Sequence, residues 1–125
     1  MFHPFAFQGT KASSNGPLTT AFLTATGISD STIISSLNTM ETDLSTAGLT
    51  SKLLTLYPLV GGTAATTQYN FMDTSAYNVA WNGTNVFSSN GVQSDGSSFG
   101  ATGATLTGSL AGYYQTGSFG AYLEG

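Results

Sequence analysis

The chain has 125 residues and a mass of 12.8 kDa, which fits one domain with an attached helical piece. Only 6% of its residues are charged, against about 25% in an average globular protein, and there are two lysines and no arginine. This composition excludes a basic patch for nucleic acid or anionic lipid, and no apolar run approaches the roughly 20 residues of a membrane span.

Residues 1–16 are predicted to form an N-terminal arm. Its phenylalanines Phe2, Phe5 and Phe7 follow the period of neither a long helix nor a strand, and KASSNG is typical of a loop. Exposed phenylalanines on a charge-poor arm are costly in water. The arm is therefore either a disordered tail or a segment that docks on a neighbouring subunit.

The next segment predicts two helices. Pro17–Thr26 is the first, because its opening proline suits a first helical position and Gly27 suits the left-handed residue after the end. Ser29 or Asp30 is expected to cap the second helix, which runs to about Ala47 with apolar residues at steps of three and four.

A third, short helix is predicted after the second. Thr50 is its expected cap, Leu49 and Leu54 have the spacing of a hydrophobic staple, and Pro58 ends it. The three helices make residues 17–60 a small helical unit. Because helices this short are marginal alone, the unit must pack against something else.

Residues 61–125 are predicted to form a β-rich domain, since the apolar period changes to about two. Several short strands separated by glycine-rich turns indicate an antiparallel sandwich, of the jelly-roll kind. Helices followed by strands make the fold class α+β. The candidate strands are TTQYNFM, YNVAW, NVF, TLTGSLAGYY and SFGAYL, and the turn signals are Asn82-Gly83, Asn90-Gly91 and Asp95-Gly96.

The boundary between the two parts is LYPLVGGTA, residues 56–64. Residues 22–112, and this motif above all, resemble bacteriophage virion proteins in which a helical segment ending in Tyr-Pro-Phe-Val-Gly-Gly-Thr-Ala leads into a concanavalin A-like or laminin-G-like β-domain. The resemblance implies a location in the virion, as a head fibre, decoration protein or tail-associated protein. The β-domain of that family is usually longer, so the chain is either a reduced version or the front portion of a longer protein.

The lack of charge also predicts self-association. Aromatic residues make up 12% of the chain, which argues against disorder and favours a protein whose copies pack against each other. We expect a homo-oligomer, with a trimer favoured, that binds other capsid or tail proteins. The residues predicted at this assembly interface are Phe2, Phe5, Phe7, Leu53, Tyr57 and Leu59.

Aromatic residues of the β-rich part have two interpretations. They are either the core of the sandwich or a sugar-stacking surface, since aromatic faces with polar neighbours suit carbohydrate. The second interpretation makes the protein a glycan-binding module of a fibre that contacts the host surface. The residues predicted to contact glycan are Trp81, Tyr113 and Tyr114.

Nothing in the sequence forms a convincing catalytic or metal-binding set. The only imidazole, His3, lies in the arm, where catalytic geometry is poorly held. Asp73 and Asp95 fall near turns, and neither belongs to a spaced calcium-binding loop. We therefore expect no enzyme activity, no cofactor and no metal.

Overall fold

The computed structural model of the chain describes residues 14–104. Within this range helices come first and antiparallel strands follow, so the chain has the predicted α+β class. The helices are α1 (Pro17–Thr26), α2 (Ser31–Thr46) and α3 (Ala64–Thr67), and the strands are β1 (Ala80–Asn82), β2 (Asn85–Ser88), β3 (Gly91–Ser94) and β4 (Phe99–Ala101).

Local signals set the ends of α1 and α2, and the prediction of both helices is confirmed. α1 begins at Pro17 and is followed by Gly27, which has the expected left-handed φ of 71°. The carboxylate of Asp30 accepts the N–H groups of Thr32 and Ile33 at 2.8 and 3.0 Å. These bonds satisfy two donors that a helix start otherwise leaves without a partner.

The predicted third helix is wrong. The carbonyl of Leu49 accepts the N–H of Leu53 at 3.1 Å and closes a single turn, after which the chain has no regular structure as far as residue 60. We call residues 49–60 the strap. The strap forms no further helix because Leu56 donates its N–H to the side-chain oxygen of Asn70 and its carbonyl accepts the N–H of Phe71.

The strand predicted in TTQYNFM is also wrong. A short helix, α3, forms in part of it because the hydroxyls of Thr63 and Thr66 each accept the other residue's backbone N–H at 3.2 Å, as in a capping box. Beyond α3, Phe71 donates its N–H to the Leu56 carbonyl at 2.7 Å. This contact ties the following chain to the strap and not to a sheet.

The four strands form two separate two-stranded antiparallel sheets, β1–β4 and β2–β3. Trp81 lies opposite Gly100 in the first, and Phe87 lies opposite Val92 in the second. The Trp81 and Phe87 rings meet nearly edge to face, with centroids 5.5 Å apart and an interplanar angle of 73°. This aromatic pair joins the two sheets.

The remaining strand predictions are met only in part. YNVAW contributes β1 and NVF contributes β2, whereas β3 and β4 were not predicted as strands. No β-sandwich is seen within residues 14–104. The predicted strands TLTGSLAGYY and SFGAYL lie outside the described residues.

One hydrophobic core joins the helices to the chain that follows the strap. Phe22 of α1 and Phe71 are 0% and 1% exposed, and their ring centroids are 5.5 Å apart. Leu37 of α2 completes the buried cluster, and partly buried Val60 and Tyr69 pack against it. The core thus contains residues from both sides of the predicted domain boundary between residues 60 and 61. The boundary itself stays a prediction.

A carboxylate of α2 caps the first turn of α1. Glu41 accepts the N–H groups of Leu18 and Thr19 at 2.9 and 2.8 Å, and also the Thr19 hydroxyl at 2.7 Å. The residue at the cap position itself, Gly16, has no side chain to do this and donates its own N–H to Asn38 at 2.9 Å. α2 therefore supplies the cap that the local sequence lacks.

Burial raises the pKa of Glu41, but hydrogen bonds from Leu18 and Thr19 outweigh burial and lower the pKa below its ordinary value of 4.5. A carboxyl with a lowered folded-state pKa stabilises the fold above its unfolded-state pKa, and this contribution is lost as the pH falls through the folded-state pKa. We expect Glu41→Gln to reduce the free energy of unfolding by about 1–2 kcal/mol at pH 7.

The difference between the parent chain and Glu41→Gln should shrink as the pH falls through the lowered folded-state pKa of Glu41, because its carboxyl group then becomes neutral like the glutamine side chain. Urea unfolding at several pH values measures it. Asp43→Asn, which alters an exposed carboxyl of the same helix, serves as the control and should change little. A difference that stays constant with pH would show that the charge of Glu41 does not hold α1.

Candidate assembly surface

The strap (residues 49–60) carries half of the predicted interface residues. Leu53, Tyr57 and Leu59 are half-buried there. Leu54, which was not predicted, is 43% exposed and is among the more exposed large apolar side chains of the described chain. The other predicted interface residues, Phe2, Phe5 and Phe7, lie outside the residues that the structure describes.

A fully buried asparagine holds the strap in position. The side-chain oxygen of Asn70 accepts the N–H groups of Leu56 and Met72 at 3.0 and 3.1 Å. Its side-chain nitrogen donates to the carbonyls of Leu54 and Ala76 at 3.2 and 3.1 Å. These four bonds use the full capacity of an amide, so a buried polar group that would otherwise be costly becomes a brace between two segments.

A second asparagine extends this brace. Asn78 accepts the backbone N–H of Asn70 at 2.9 Å and donates its side-chain N–H to the Thr74 carbonyl at 2.7 Å. The loop between Asn70 and Asn78 is thereby closed on itself. This loop lies next to the strap, to which the Asn70 side chain binds it.

Tyr57 makes a further link between the strap and this loop. Its hydroxyl donates to the carbonyl of Tyr77. Burial raises the pKa of Tyr57, and interactions with the hydroxyls of Thr55 and Thr102 only partly offset this. The phenol therefore keeps its proton at neutral pH and remains a donor.

The backbone is strained at two residues beside this link. Leu59 and Tyr77 have φ values of 56° and 57°, in the left-handed region that costs a residue with a side chain about 1–2 kcal/mol. Such conformations persist only where the surrounding contacts impose them. Asn70 and the Tyr57 hydroxyl thus tie together the segments that bear Leu54, which is 43% exposed, and Tyr77, which is 37% exposed. We call Leu54, Tyr57 and Tyr77 the strap surface.

Two acidic side chains near the strands, Asp73 and Asp95, serve local turns. One carboxylate oxygen of Asp95 accepts the N–H groups of Ser97 and Ser98 at 2.9 and 2.8 Å, and one of Asp73 accepts that of Ser75 at 2.9 Å. Hydrogen bonds from the serine hydroxyls and N–H groups lower the pKa of both acids. Residues 14–104 bring together no group of three His, Cys, Asp or Glu side chains suited to a metal ion.

Trp81, a predicted glycan contact, is engaged in packing. Its ring lies over Gly100, where a Cβ atom would come within 2.8 Å of it, and against Phe87. Its indole nitrogen is buried and has no hydrogen-bond partner within the described range. A role in glycan binding stays a prediction for Trp81, and Tyr113 and Tyr114 lie outside the described residues.

The predictions from sequence did not identify Asn70 as the residue that fixes the strap. Asn70 stands between Tyr69 and Phe71, and an alternating strand would have placed it in solvent. The one signal for its true position was an asparagine flanked by two aromatic residues that both face the core. Leu54 was predicted only as part of a hydrophobic staple and Tyr77 only as part of the candidate strand YNVAW, and neither was predicted at an interface.

No family model, curated protein or solved structure matches the chain. The resemblance to phage virion proteins therefore stays a prediction. No helix among residues 14–104 is long and apolar enough to cross a lipid bilayer.

Proposed function

We propose that the protein is a non-enzymatic structural component of a bacteriophage virion, as a head fibre, decoration protein or tail-associated protein. Its N-terminal arm and helices attach it to other capsid or tail proteins. The observation that carries this proposal is the strap surface. Hydrogen bonds of Asn70 and of the Tyr57 hydroxyl fix the two segments that bear its residues, Leu54, Tyr57 and Tyr77. Aromatic and aliphatic groups held ready in this way suit a protein partner, because little conformational freedom is lost on binding.

The charge distribution supports contact between copies. Lys52 is the only charged residue of the strap, and only 6% of the chain is charged. Like charges therefore oppose the approach of a second copy only weakly. We infer a homo-oligomer, with a trimer favoured.

We also infer that the two small sheets belong to an antiparallel sandwich of the jelly-roll or concanavalin kind, completed by strands from residues 105–125. Isolated two-stranded sheets are marginally stable, so additional strands are needed. Phe99 is 59% exposed and Val86 is nearly as open, which leaves apolar surface on both sheets to be covered. The segments TLTGSLAGYY and SFGAYL have the alternation that such strands require.

Peptide mass spectrometry of purified phage particles tests the location directly. We expect the chain in stoichiometric amounts in the particle. Its absence from washed particles would overturn the proposal.

Self-association through the strap surface is tested by Leu54→Glu. A charge placed in an apolar contact should weaken the oligomer at least about tenfold, as measured by light scattering across a dilution series. Ser36→Glu adds the same charge to an exposed position of α2 and should leave the oligomer intact. A parent chain that is monomeric at micromolar concentration would contradict the prediction.

A glycan-binding module of a fibre is the second candidate. It is favoured by Trp81, which is only half-buried and therefore leaves part of its side chain exposed. A glycan array separates the two functions. A specific sugar bound by the parent chain and lost in Trp81→Phe would favour this candidate, whereas no binding at all would leave the structural role alone.

A further inference from the structure

The described chain contains three Asn-Gly pairs whose surroundings differ. In such a pair the glycine nitrogen can attack the side-chain Cγ of the asparagine, which forms a C–N bond and releases ammonia. Water then opens the cyclic imide to aspartate or isoaspartate. The reaction needs an asparagine side chain that can turn onto the next N–H, and glycine offers no side chain to obstruct it. The pairs are Asn15-Gly16, Asn82-Gly83 and Asn90-Gly91.

Asn38 holds both reacting groups of the first pair. The Asn15 side-chain oxygen accepts the side-chain N–H of Asn38 at 2.8 Å, and Gly16 donates its N–H to the side-chain oxygen of Asn38 at 2.9 Å. The carboxyl group of Glu41 fills the space beside the Gly16 Cα. The attacking nitrogen and its target are therefore kept apart in the folded protein.

The third pair lies at the tip of the β2–β3 hairpin, where its asparagine is exposed to solvent. Asn90 is exposed, and its side-chain amide makes no hydrogen bond to another residue within residues 14–104. Gly91 has a φ of 117°, which only glycine adopts readily. The side chain of Asn90 is therefore able to turn towards the following nitrogen.

The second pair ends β1 and is nearly as open. Asn82 is exposed, and within residues 14–104 its side-chain nitrogen donates only to the nearby Ala80 carbonyl, at 3.0 Å. Its side-chain oxygen accepts no hydrogen bond in the same range. Gly83 lies outside the strands with a φ of 81°.

We propose that Asn82 and Asn90 are sites of spontaneous deamidation in the folded protein and that Asn15 is protected by Asn38. Each conversion adds one carboxylate, so the two together change the formal net charge from −4 to −6. Both new charges appear on the β-part of a chain that has only six acidic residues. The modification therefore adds negative charge to the β-part as the protein ages.

The test follows the three sites by peptide mapping and isoaspartate detection after incubation in warm, mildly alkaline buffer, with the same chain unfolded in urea as the reference. Asn15 should react about thirtyfold more slowly in the folded than in the unfolded chain, because two hydrogen bonds must open first. Asn82 and Asn90 should keep their unfolded-state rates within a few-fold. Equal slowing at all three sites, or none at Asn15, would overturn the proposal.

Asn38→Ala provides the matched variant. Asn15 should gain its unfolded-state rate in this variant, while Asn82 and Asn90 react as before, with circular dichroism reporting that the helices persist. Continued protection of Asn15 in a folded Asn38→Ala chain would remove Asn38 as the cause. If the variant does not fold, the comparison of the folded and unfolded parent chain still tests whether folding slows deamidation at Asn15 and not at Asn82 and Asn90.

Discussion

Phe22→Ala is expected to remove about 3–5 kcal/mol of stability, the usual cost of truncating a buried aromatic residue. Phe22 has no exposed surface, and it packs its ring on Phe71 beside Leu37. Small domains are stable by only about 5–15 kcal/mol, so this variant should be largely unfolded at moderate temperature. Urea denaturation followed by circular dichroism measures the loss.

Leu49→Ala truncates an apolar side chain at a partly exposed position and is the control. Because Leu49 is 39% exposed, we expect the free energy of unfolding to change by about 1 kcal/mol, well below the loss in Phe22→Ala. Similar losses in the two variants would mean that the core is not centred on α1 and the chain around Phe71.

Asn70→Leu should be the second most damaging change, at about 3–5 kcal/mol, although leucine has the same number and branching of side-chain heavy atoms as asparagine. The substitution leaves the N–H groups of Leu56 and Met72 and the carbonyls of Leu54 and Ala76 without their partner. Each such group costs free energy when it is buried and unsatisfied. Amide hydrogen exchange at Leu56 and Met72 should accelerate together, since both lose the same acceptor.

Asn85→Leu is the matched control for this prediction. Among the described residues the Asn85 side-chain amide makes a single hydrogen bond, to the Asn82 carbonyl at 3.1 Å, so its loss should cost about 1 kcal/mol. If Asn70→Leu costs no more than Asn85→Leu, the brace under the strap surface contributes little to stability.

The well-predicted part of the fold is the part that nearby residues specify. Pro17, Gly27 and Asp30 act within one turn of their own position, so the ends of α1 and the start of α2 could be placed from sequence. The cap that Glu41 provides for α1 lies 22 residues away from Thr19, and no local pattern indicates it.

The strap was mispredicted because distant partners override local preference. Leu49 and Leu54 have the spacing of a helix start, but Asn70 and Phe71 take up the backbone groups of Leu56, which are then not available to a helix. The alternation of Tyr69 and Phe71 did indicate two side chains that face the core. It did not indicate a strand, since α3 and the turns that follow supply other backbone partners.

The candidate surface was predictable only in outline. Leu53, Tyr57 and Leu59 were selected as apolar residues at the end of a helical unit, and they stay predicted interface residues. Of these three, only Tyr57 belongs to the strap surface with Leu54 and Tyr77. That grouping depends on where Asn70 holds the strap, which is a property of the tertiary structure.

The capping of α1 by Glu41 implies an order of folding. A helix of ten residues is too short to persist alone, and Leu18 and Thr19 find their acceptor only once α2 exists. α2 has sixteen residues and its own cap at Asp30, so it is the natural nucleus. On the ribosome, α1 would therefore leave the exit tunnel as unstructured chain and become helical only after α2 has emerged behind it.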